Sequence, residues 1–92
     1  MVYGDYIHLQ TKGFSDIKEI TRTIQDIVSQ SGITNGLVHI FVTGSTGSVS
    51  TIEYEPALVE DVRDKLNELV PETQHSRHSQ TWGDDNGFSH MR

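Results

Sequence analysis

Apolar residues recur along this chain at two different periods. Residues 6–11 alternate, with Ile7 and Leu9 on one face and Tyr6, His8 and Gln10 on the other, which predicts a strand closed by Lys12-Gly13. Asp16 and Glu19 have the spacing of a capping box. Ile17, Ile20, Ile24, Ile27 and Val28 follow at steps of three and four, predicting an amphipathic helix that ends at Ser31-Gly32. After the Asn35-Gly36 turn, residues 37–43 (LVHIFVT) are β-branched and aromatic on both faces, as in a central strand. The small-residue loop Gly44-Ser45-Thr46-Gly47 connects it to a second run, residues 48–54 (SVSTIEY). Pro56 opens another helix with the stripe Leu58, Val59, Val62, Leu66, Leu69 and Val70, and Pro71 stops it. The predicted order is β-α-β-β-α. It implies an α+β fold, an antiparallel sheet with two amphipathic helices, in a single domain spanning residues 1–92.

Beyond Glu72 the periodicity fades into a polar stretch holding His75, His78, Trp82, Asp84, Asp85 and Asn86, followed by Phe88 to Arg92. The chain ends there as another element starts, which suggests an incomplete domain.

Composition narrows the function classes. With 92 residues and 34% hydrophobic content, the core is small, and a partner subunit, a bound ion or further sequence is expected to contribute stability. The formal charge of -6 leaves no electrostatic footprint for nucleic acid. No apolar run approaches membrane-spanning length, and the first residues have no signal-peptide pattern. A cytoplasmic protein is expected. The absence of cysteine excludes disulfides and thiolate metal sites.

Three places could carry chemistry. His78 and His90, close in sequence to Asp84 and Asp85, offer the imidazole and carboxylate ligands typical of zinc or a similar divalent ion. Their spacing matches no compact ligand motif, and loop histidines and Asp-Asn-Gly turns are commonly just solvated. Gly44, Ser45 and Thr46 could present backbone N–H groups and hydroxyls to a phosphate, or could form a plain hairpin connection. Glu53 and Glu55 share one face if strand geometry holds, as an acid–base pair would, although Glu55 could instead start the helix at Pro56. No order or spacing supports a nucleophilic triad.

The run GLVHIFVTGSTGSVSTIEYE over residues 36–55, the helix closing on Leu69-Val70-Pro71, and His78 through Asp84-Asp85-Asn86-Gly87 to Ser89-His90 together resemble the YjbQ-type secondary thiamine-phosphate synthase family, in its N-terminal two thirds. The resemblance implies a substantial antiparallel sheet, a homotrimer, and a histidine metal site near a subunit boundary. It also implies a transferase activity that joins a pyrimidine diphosphate to a thiazole phosphate. Residue by residue, it implies metal ligation by His78 and His90, catalytic roles for Glu53, Asp85 and Asn86, and phosphate contacts at Gly44, Ser45 and Thr46. Phe88 stands where the family pattern commonly has histidine, and Ser76 where it has an aromatic. His75 could replace the lost ligand only if the loop rearranged. Family members also continue through further strands. The alternative is a non-catalytic oligomeric module that binds a phosphate or an ion, or an inactive fragment.

Overall fold

The computed structural model describes residues 1–92 and contains four helices: α1 (Thr21–Ser31), α2 (Pro56–Leu69), α3 (Arg77–Trp82) and α4 (Gly87–Met91). The chain divides into two compact units, Met1–Ile40 and Phe41–Arg92. No helix is long and apolar enough to cross a membrane.

In the first unit, α1 carries the predicted stripe. Ile17, Ile20, Ile24 and Ile27 are half-buried, and nothing in the helix is fully buried. Gly32 closes it in the left-handed conformation at φ 71°, with its N–H donating to the Ser29 carbonyl (3.3 Å), a geometry that glycine adopts without steric cost. The capping box does not form. The N-cap is Ile20, with no side-chain hydrogen bond. Asp16 turns back instead and accepts the Lys12 N–H at 2.8 Å, closing a turn in which Phe14 and Ser15 both have positive φ. That hydrogen bond holds the Asp16 carboxyl below its ordinary range. Desolvation partly opposes the shift, and the Lys18 ammonium at 3.6 Å adds to it.

The second unit holds the better-packed structure. Glu55 sits at the α2 N-cap in extended backbone, and its carboxylate accepts the Ala57 and Leu58 N–H groups at 3.1 and 2.9 Å. Pro56 follows at the first helical position, where its missing N–H leaves nothing unsatisfied. Of the two roles open to Glu55, the structure therefore shows the helix-starting one. Glu55→Ala removes the acceptor of two otherwise orphaned N–H groups and is expected to destabilise α2 by about 1 kcal/mol. A urea midpoint unchanged in that variant would mean that water replaces the cap at no cost. Val59, on α2, and Phe88, on α4, are the two buried apolar side chains of the chain.

The α+β expectation is overturned. The structure contains no strand: residues 6–11, 37–43 and 48–54 are irregular. Leu37 is fully exposed and Phe41 is 75% exposed, the reverse of a doubly covered central strand. The physical reason lies in what alternation encodes. It marks which side chains would share a face, whereas a strand exists only when a neighbour pairs its backbone, and short unpaired runs are not stable by themselves. The antiparallel sheet is accordingly corrected to an architecture whose regular structure is helical.

Candidate functional site

The polar stretch after Glu72 folds into two short helices. Ser76 caps α3: its Oγ accepts the Ser79 N–H (3.1 Å) and lies 2.9 Å from Ser79 Oγ. Thr81 donates its hydroxyl to the Arg77 carbonyl (2.9 Å). Gly83 ends the helix at φ 74°, donating its N–H to Ser79 O at 2.8 Å. After a short reversal, Asn86 starts α4, its carbonyl accepting from the N–H groups of Ser89 (3.0 Å) and His90 (3.3 Å). α3 and α4 pack against each other.

This reversal brings together two histidines that are distant in sequence. The rings of His78 and His90 lie 4.5 Å apart between centroids, tilted by 55°. His78 Nε2 is 3.3 Å from Asp84 Oδ1. The rings face an open recess of about 450 Å³, lined also by Gln74, His75, Ser76, Arg77, Gly87 and Met91. Three of the five histidines of an acidic chain therefore border one recess, together with an arginine and no carboxylate. A larger open groove of about 670 Å³ lies beside α1 in the first unit, with Arg22 and Asp26 on its walls and no histidine.

Not every predicted site residue joins this cluster. His78 and His90 do. Asp85 does not; it is exposed, and its neighbour Asp84 is the carboxylate that meets His78. Asn86 serves as the α4 cap, and its Oδ1 is buried without a protein donor. Gly44, Ser45 and Thr46 form an exposed turn, and none of them lines the recess. Glu53 is exposed, and its carbonyl accepts the Glu55 N–H at 2.9 Å. This tight local turn breaks the alternation that would have placed the two carboxylates on one face. Phe88 is buried at 6% exposure and faces the core. Ser76 and Arg77 had no site role in the sequence-based set, and His75 entered it only as a substitute ligand. The capping pattern from Ser76 to Gly83 was the signal that could have located them.

The residues do not fit a resident metal ion. Zinc sites take at least three protein ligands converging on one point, and no three or more His, Asp or Glu side chains in the structure are so grouped. His78 and His90 are thus brought together without a third ligand beside them.

Comparison with known proteins decides the family. The chain matches the family described as UPF0047 protein, YjbQ-like, over residues 5–92. The chain belongs to this family. It is also 30% identical over 91 residues to a UPF0047 protein of Methanothermobacter thermautotrophicus strain Delta H, an alignment covering 99% of this chain and 62% of the relative. The chain thus spans less than two thirds of that relative's length. No solved structure matches it at comparable significance. Both matches describe UPF0047 proteins, and neither names a thiamine-phosphate synthase or a transferase. The thiamine-phosphate synthase expectation is corrected accordingly: the UPF0047 family is shown, and that activity is not.

Proposed function

We propose that this UPF0047 chain is a non-catalytic, self-associating binding module whose histidine-bordered recess takes a small oxyanion, such as the phosphate group of a phosphorylated small molecule. The observation that carries this is the lining itself. His75, Arg77, His78 and His90 meet there without a carboxylate, in a chain whose formal charge is -6. A net negative field repels anions from most of the surface. A recess whose own lining holds an arginine and three histidines, with Asp84 outside it, is therefore the place where an anion is least disfavoured. Arg77 supplies a fixed positive charge with paired donors, suited to phosphate. Each imidazole adds a ring N–H donor. Asp84, from outside the lining, holds the His78 ring by its Nε2 edge.

Self-association is supported by uncovered apolar surface. Leu37, Val38 and Ile40 of the first unit and Phe41, Val49, Ile52 and Tyr54 of the second are all exposed. Such surface marks a site of association. One domain containing both units is supported by the family match across residues 5–92.

Calorimetric titration with inorganic phosphate, with oligomer size measured in the same samples, tests the reading. Binding is expected at neutral pH, where the Arg77 guanidinium is charged. Losing one charge-assisted hydrogen bond, of roughly 1.5 kcal/mol, should weaken binding about tenfold in each of Arg77→Ala, His78→Ala and His90→Ala. Phosphate binding that ignores all three substitutions, or no binding at all, would sink it.

A further inference from the structure

We propose that Gly87 is the positioning residue of the recess. Its missing side chain lets α4 seat directly on Ser76, and this seat sets the separation of the His78 and His90 rings. The inference rests on the reading of the recess as a binding site.

Gly87 is buried, and its backbone is not in the left-handed region, so conformational freedom does not explain a glycine there. A Cβ built on it would overlap Ser76 Oγ, lie 2.7 Å from Ser76 Cβ and stand 3.7 Å from His78 Cβ. Ser76 is poorly placed to yield. Its Cβ is attached directly to the backbone, and its Oγ accepts the Ser79 N–H that starts α3 and lies against Ser79 Oγ. Rotating Ser76 away would uncap the helix that carries His78.

Non-bonded carbons rest at about 3.5–4.0 Å. A methyl group at position 87 therefore requires α3 and α4 to part by roughly 1 Å. His78 lies two residues beyond Ser76 and His90 three beyond Gly87, so the seat is within a turn of both rings. Opening it separates the 4.5 Å ring pair. Alanine is otherwise the better helix former, so at an open position the same substitution would be neutral or stabilising. The sign of its effect distinguishes a seat from an ordinary helix start.

The test uses Gly87→Ala, Ser76→Gly and the double variant, with NMR cross-relaxation between the His78 and His90 ring protons recorded without ligand and phosphate titrated separately. The expected pattern is loss of the ring contact and about tenfold weaker phosphate binding in Gly87→Ala. Both should recover in the double variant, where removal of the Ser76 side chain makes room for the new methyl and glycine replaces the serine cap at little cost. Ser76→Gly alone should therefore keep the ring contact; a generic folding defect would not be rescued in this way. A ring contact that survives Gly87→Ala overturns the proposal, and so does a loss that the double variant fails to restore. If the ring contact follows the pattern while the unaltered protein binds no phosphate, the seat stands and the oxyanion reading alone falls.

Discussion

Phe88→Ala should cost the second unit about 3–5 kcal/mol, the usual range for emptying a buried aromatic site, and that is a large part of what a small domain possesses. The expectation follows from how little else is buried. Phe88 at 6% and Val59 at 7% exposure are the chain's two buried apolar side chains. Phe88 lies on α4 between the residues that shape the recess: Gly87 precedes it, His90 follows two positions later, and the Arg92 guanidinium stands over its ring at 5.1 Å. A truncated side chain removes the apolar anchor of α4, and the His78–His90 pair should disperse with it. Urea denaturation followed by the His90 ring signal would measure both effects together. A change below about 1 kcal/mol would show that α4 is held by other contacts. Phe88→His is informative for a different reason. The family resemblance implies a vacated ligand position at residue 88, but here the side chain is buried. Histidine should therefore destabilise the unit by burying a polar ring, without adding a ligand to the recess.

Arg92→Ala is expected to be the second largest effect, about 2 kcal/mol. The Arg92 Nε and Nη2 groups donate to the Val70 carbonyl at 3.0 and 2.7 Å, and Nη2 also donates to Asn67 Oδ1 at 2.9 Å. Val70 is the C-cap of α2, where helix carbonyls lack intrahelical donors and a cation is favoured. One side chain therefore joins the end of α2 to the end of α4, across 22 residues of sequence. Alanine would remove the bonds to Val70 and Asn67 and the cation over Phe88 in a single step. Lysine should recover only part, because an ammonium cannot reproduce the planar fork. Thermal denaturation of both variants, with amide exchange at the α2 C-terminus, provides the check. If Arg92→Lys matches the unaltered protein, a simple point charge explains the contact and the fork does not.

These two residues also show where the sequence stops being informative. Phe88 and Arg92 lie in a stretch too short for periodicity to develop, since a helix of five or six residues completes fewer than two turns. Their roles depend on what α4 packs against, and no local pattern carries that. The same limit applies to the recess. His78 and His90 are twelve residues apart, and only the left-handed Gly83 and the reversal to Asn86 bring their rings together. Choosing between Asp84 and Asp85 as the carboxylate beside His78 likewise depends on which one the turn directs toward the ring.

The sequence by itself determined α1 and α2. A stripe at helical spacing, a left-handed Gly32, and Glu55-Pro56 at a helix start are local instructions, satisfied within a few residues whatever surrounds them. Tertiary structure alone decided the rest. Residues 37–43 and 48–54 have the composition of strands, but strand formation requires a second backbone to accept and donate hydrogen bonds, and none pairs with them here. The recess, too, forms where α4 comes back against α3, with Gly87 close to a capping serine eleven residues earlier in the chain. Helices close their hydrogen bonds within one segment, whereas strands and sites close theirs between distant segments.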